Sequence, residues 1–115
     1  MPIVFIIARD WTLRTSVRAE LREAGIDALG MDSPSDAGKA LAAGELPSAI
    51  VVEAVTGLAD DPRIASLVER IPAVLIASRV ETVALPPVAA VLYRPARIGE
   101  IVAKVTDLLR KGHAA

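Results

Sequence analysis

No cysteine occurs in this 115-residue chain, which excludes a disulfide framework and any thiolate-bound metal, and leaves the redox compartment unread. Histidine occurs once, at position 113. With no second histidine and no cysteine, neither a Ser-His-Asp arrangement nor a zinc site can be built around His113. Aromatics are reduced to Phe5, Trp11 and Tyr93. Charge of one sign is also missing: 13 basic residues face 14 acidic ones, for a net charge of -1. No field exists to draw in nucleic acid or an anionic membrane. The apolar run from Ile3 to Ile7 has no basic segment before it and is too short for a signal peptide or a membrane span. A cytoplasmic protein with neither nucleic-acid nor membrane partners is the expectation. The segment Ala8-Arg9-Asp10-Trp11-Thr12 contains no glycine, so backbone amides cannot cradle a dinucleotide pyrophosphate in the usual way. No cofactor is expected.

What the chain does have is aliphatic surface. Its hydrophobic fraction is 53%, and five runs stand out: Ile3–Ile7, Asp27–Met31, Ala49–Glu53, Ala73–Ala77 and Ala89–Tyr93. Continuous Val/Ile/Leu strands suit a parallel sheet covered by helices on both faces. The first three gaps between runs are long enough for a βαβ crossover. Leu13, Val17 and Leu21 recur every four residues before Gly25. A shorter helix fits from about Ser35 to Ala43, followed by Gly44. Asp60-Asp61-Pro62 supplies an acidic cap and a first-turn proline for a third helix carrying Ile64, Leu67, Val68 and Ile71. The last helix, Ile98–Lys111, carries Ile98, Ile101, Val102, Val105, Leu108 and Leu109 on one stripe. Between Ser78 and Val88, closed by Pro86-Pro87, one turn at Glu81–Leu85 is the most that fits. The expectation is one domain over residues 1–115, with a frayed tail at 111–115, built as a doubly wound three-layer αβα sandwich on a five-stranded parallel sheet.

In such sheets the functional crevice lies at the C-terminal ends of the strands. There the sequence places Ala8, Arg9 and Asp10, then Glu53, then Ala77 and Ser78, then Arg94 and Pro95. Over essentially its whole length the chain resembles the receiver (CheY-like) domain of bacterial response regulators. Pro47-Ser48-Ala49-Ile50-Val51-Val52-Glu53 is similar to the strand that delivers the family's phosphoacceptor aspartate. Ile71-Pro72-Ala73-Val74-Leu75-Ile76-Ala77-Ser78 is similar to the strand ending in its switch hydroxyl. Val91-Leu92-Tyr93-Arg94-Pro95 is similar to the strand ending in its lysine–proline pair, while Leu41 and the final helix take their usual places. The resemblance implies a flavodoxin-like sheet in the order 2-1-3-4-5, and two-component signalling.

It also exposes departures at every working position. Ala8 and Arg9 stand where the family has its two magnesium-binding acids, leaving only the flanking Asp10. Glu53 replaces the acceptor aspartate and Arg94 the lysine. Ala77 occupies the hydroxyl position with Ser78 one residue late, and Val91 the aromatic position with Tyr93 two residues on. Magnesium takes oxygen ligands and a guanidinium repels it. The chain thus reads as a degenerate receiver, not an enzyme, that works by contact with a kinase, phosphotransferase or output protein; a homodimer is compatible with this. Glu53 with Arg9 and Arg94 forms either a structural ion pair or a permanent mimic of the phosphorylated or metal-filled state. Arg14, Arg18 and Arg22 form a basic stripe, either a solvated face or a docking surface, and Trp11 is placed as a lid over the strand ends. Two alternatives stand beside this. In one, Arg9, Arg94 and Ser78 grip a small anion; in the other, Asp10 is an atypical phosphoacceptor.

Overall fold

Short local signals set the elements. The computed structural model describes residues 2–80 and 90–114. Asp10, Ser33 and Asp61 hold extended backbone and accept from the main-chain N–H of Leu13, Asp36 and Arg63, capping helices α1 (Trp11–Glu23), α2 (Pro34–Ala42) and α3 (Pro62–Arg70). Each such cap contributes about 1 kcal/mol. Pro34 and Pro62 occupy first-turn positions where their missing N–H has no partner to lose. At the end of α1, Gly25 takes φ +79°, its N–H reaching the Arg22 carbonyl and the Ile26 N–H that of Leu21. This pair of bonds is a Schellman stop, repeated at Gly44 behind α2.

Strands β1 (Ile3–Ile7), β2 (Asp27–Met31), β3 (Ala49–Glu53), β4 (Ala73–Ala77) and β5 (Ala90–Tyr93) form one parallel sheet in the order β2-β1-β3-β4-β5. Alternation along the strands divides the core in two. Phe5, Ile7, Ile50, Val52 and Leu75 face α2 and α3, meeting Ala37, Ile64, Leu67 and Val68. Val4, Ile6, Val51, Val74 and Ile76 face α1 and the last helix, α4 (Ile98–Ala114), meeting Leu13, Val17, Leu21, Ile101, Val105 and Leu109. Both faces being covered explains why β1, β3 and β4 read as unbroken aliphatic runs.

The expected class and strand order hold. Two helices differ in their bounds. The second helix begins one residue early because Pro34 is preorganised for the first turn. The last helix continues past Lys111, where the sequence places no proline to stop it. The fifth strand is described over Ala90–Tyr93 as expected, and both Ala89 and the expected single turn at Glu81–Leu85 lie outside the described residues.

Core position, not hydrophobicity alone, carries the stability. Leu75→Ala, fully buried in the interior strand β4, is expected to cost about 2–5 kcal/mol, whereas Leu46→Ala, at a residue 74% exposed, should stay within about 0.5 kcal/mol of wild type. Urea unfolding of the two variants measures the contrast.

Candidate functional site: a carboxylate crevice at the strand ends

The strand order puts the end of β3 directly beside the end of β1, with β5 beyond β4. Glu53 closes β3 and is the buried charged residue of the described core, 6% exposed. A carboxylate there must be satisfied on both oxygens. Its Oε1 accepts from the backbone N–H of Arg9 at 2.7 Å and of Asp10 at 3.1 Å. Its Oε2 accepts from Arg94 Nη2 at 2.5 Å. Arg94 follows β5, its own N–H fixed on the Ala77 carbonyl at 2.8 Å. Its other terminal nitrogen, Nη1, donates to Asp10 Oδ2 at 3.1 Å. One guanidinium thus joins two carboxylates, a task suited to its planar fork.

Asp10 does double duty. Its Oδ1 caps α1 through the Leu13 N–H at 3.1 Å while Oδ2 holds Arg94. The Leu13 N–H first, and then Arg94, hold its carboxyl below the ordinary value of 3.8. Its place immediately before Trp11 and three residues before Leu13 marks an N-cap in the sequence; the link to Arg94 carries no sequence signal.

Arg94 is the partner expected for Glu53, and Arg9 engages it differently from expectation. Arg9 gives Glu53 its main-chain N–H, so its side chain points away and donates through Nη1 to the Thr56 carbonyl at 2.7 Å. That path crosses Gly57, where a Cβ would lie 2.8 Å from Arg9 Nη2 and where φ is +82°. Ala8 and Ala77 are buried apolar walls. Ser78 accepts through Oγ from the Val80 N–H at 3.1 Å, within its own loop. Trp11 is not a lid: it stands 67% exposed with the Arg14 guanidinium over its ring at 5.4 Å. Tyr93, at the other side, carries Arg79 over its ring at 4.4 Å.

The basic stripe of α1 is not a simple solvated face. Arg14 donates to the Ala8 carbonyl at 2.7 Å, and its stem lies over Gly30, whose missing Cβ would come 3.0 Å from Arg14 Cγ. Arg18 donates to the Ala28 carbonyl at 3.3 Å, and Arg22 sits 3.9 Å from Asp27. The Arg14 stem thus covers part of the edge strand β2, as long amphipathic side chains do, while Arg18 and Arg22 remain exposed.

No protein-family model matches the chain, and no curated protein matches it. Solved structures do. The chain is similar to a CheY-like response regulator receiver domain protein from Methanospirillum hungatei, with a TM-score of 0.81 over 99% of this chain and 98% of that one, at 18% identity. It is similar to the N-terminal domain of a response regulator/sensory box/GGDEF 3-domain protein from Carboxydothermus hydrogenoformans, with a TM-score of 0.79 over 97% of each chain, at 15% identity. A Francisella response regulator receiver domain gives 0.77 over 97% of this chain and 99% of that one, also at 15% identity. The fold is that of receiver domains.

The residues at the strand ends do not suit the magnesium ion that the resemblance implies. Both Glu53 oxygens and Asp10 Oδ2 face N–H donors, and a cationic guanidinium sits between the two carboxylates. Among the described residues no three His, Cys, Asp or Glu side chains are grouped to hold a metal.

Two consequences are measurable. Breaking a buried pair costs about 3–5 kcal/mol and an exposed one about 0–1; with Glu53 8% and Arg94 37% exposed at their side chains, Arg94→Met should fall between them. In acid, the stability contributed by Asp10 is complete above its ordinary pKa of 3.8 and lost as pH falls through the lowered folded value. Asp10→Asn should therefore flatten the acid limb of the stability curve below about pH 4, and more than Arg94→Met does, because the Leu13 N–H is the larger cause. Urea unfolding across the acid range checks both.

Proposed function

We propose that this chain is a receiver-like regulatory module of two-component signalling that works by protein–protein contact, without magnesium-dependent aspartyl phosphorylation and without catalysis of its own. One observation carries the proposal: the carboxylate at the position of the family's phosphoacceptor is buried, with two main-chain N–H groups on one oxygen and a guanidinium on the other. A nucleophile needs an exposed oxygen with room for the incoming phosphorus, and Glu53 is buried with both oxygens turned to donors instead. Likeness to receiver domains across nearly the whole chain supports the signalling context. A cytoplasmic setting fits a fold in which no helix among the described residues is long and apolar enough to cross a membrane.

Contact with a protein partner is assigned to the flank of β5 and α4. Every residue of β5 is less than fully buried, and Leu92 opens onto a groove shared with Glu100, Ala103, Lys104, Asp107 and Arg110. Arg14 and Arg18 are less suited to docking, being committed to carbonyls of their own chain. The anion-grip alternative loses its grip in the same way, with Arg94 on two carboxylates and Arg9 on Thr56.

Incubation with acetyl phosphate and magnesium, followed by intact-mass measurement, tests the proposal. No stable gain of a phosphoryl group is expected. A gain that disappears in Glu53→Gln, or in Asp10→Asn, would overturn it.

A further inference from the structure

Three donors from two segments converge on the single carboxylate of Glu53: the N–H groups of Arg9 and Asp10 from the loop after β1, and Nη2 of Arg94 from the end of β5. An ion pair alone requires only the last. What distinguishes this crevice is that each donor is also held in place by bonds that do not involve Glu53. The turn after β1 is fixed by Asp10 Oδ1 on the Leu13 N–H, by the Arg14 N–H on the Asp10 carbonyl at 3.0 Å, and by the Ala8 N–H on the Met31 carbonyl at 3.0 Å. Side chains add two more ties, Arg9 to the Thr56 carbonyl and Arg14 to the Ala8 carbonyl. Arg94 is anchored by its own N–H on Ala77 and oriented by Asp10 Oδ2.

We propose that the crevice is a preorganised receptor for a small monocarboxylate, and that its occupant is the chain's own Glu53, a tethered ligand that keeps outside anions out. The proposal concerns the same site as the function above but uses only its donor geometry, with no step of phosphoryl transfer. Shortening Glu53 to alanine removes one methylene and one carboxylate, the heavy atoms of acetate. The donors then remain aimed at a vacated, largely buried space, where unpaired N–H groups are costly. A free ligand of matching chemistry relieves that cost without having to organise the site. Charge sets the class. Glu53 and Asp10 share one arginine, so the cluster already carries a formal -1 with Glu53 in place. A monoanion restores that balance, and a dianion would add repulsion from Asp10.

Thermal unfolding of Glu53→Ala in sodium acetate, sodium chloride and sodium phosphate, each referenced to wild type in the same salt, tests the receptor. Acetate at about 50 mM should raise the Tm of Glu53→Ala by about 3–6 °C over chloride. Wild type and Glu53→Gln, whose sites stay filled, should show no such difference. Combining Glu53→Ala with Arg94→Met should abolish the acetate effect. Equal Tm values for Glu53→Ala in acetate and chloride would overturn the receptor, as would an acetate effect that survives loss of Arg94. Phosphate stabilising as strongly as acetate would overturn the assignment to a monocarboxylate. Should Glu53→Ala be unfolded in chloride, circular dichroism decides: folding recovered by acetate supports the receptor, and no recovery ends it. Phosphorylation of the wild-type chain would sink the proposed function and leave this comparison untouched.

Discussion

Burying one carboxylate at the end of β3 is the constraint from which the rest of the strand-end architecture follows. Glu53 sits among apolar walls and has little water to turn to. An uncompensated charge there would cost several kcal/mol, about 3–5 where one partner of a buried pair is removed. The chain meets this with donors from both sides of β3. The loop after β1 turns its N–H groups toward Oε1, which forces the Arg9 side chain outward, and the missing Cβ of Gly57 lets it pass. From the far side Arg94 crosses over β4 to reach Oε2.

The choice of arginine is physical. A lysine ammonium is a compact point charge, whereas the guanidinium presents two terminal nitrogens in a rigid plane. Here those nitrogens serve different carboxylates, Glu53 at the end of β3 and Asp10 at the start of α1. Because Asp10 is also the cap of α1, the helix terminus, β3 and β5 are tied through one side chain. The fold shared with receiver domains provides the positions, and the side chains at those positions bond to one another and to the main chain, Glu53 to Arg94 and the Arg9 and Asp10 amides, and Arg94 to Asp10.

Much of the fold was legible because its signals are local. Strands β1, β3 and β4 announce themselves as aliphatic runs, and Asp61-Pro62, Gly25 and Gly44 mark helix ends by their own conformational preferences. Strand order was legible only through the resemblance, since periodicity carries no pairing information. At the site, Glu53 and Arg94 stood out as an acid at the end of the third strand and a base, followed by proline, at the end of the fifth. What stayed hidden was where long side chains finish. Periodicity puts Arg14, Arg18 and Arg22 on one face but says nothing of the Arg14 stem lying over Gly30 or of Arg18 reaching the Ala28 carbonyl. Likewise nothing in the sequence says that Arg9 would serve Glu53 through its main chain, or that Trp11 would stay open with Arg14 above it.

The central claim is that the loop after β1 donates its amides to Glu53. Amide hydrogen exchange at Arg9 and Asp10 in the wild-type chain tests it most directly. Both amides should be protected to a degree comparable with Ala8, whose N–H is bonded to the Met31 carbonyl, and both should lose that protection in Glu53→Ala while Ala8 keeps it. Exchange of Arg9 and Asp10 at the rate of an open loop, or protection indifferent to Glu53, would contradict the account.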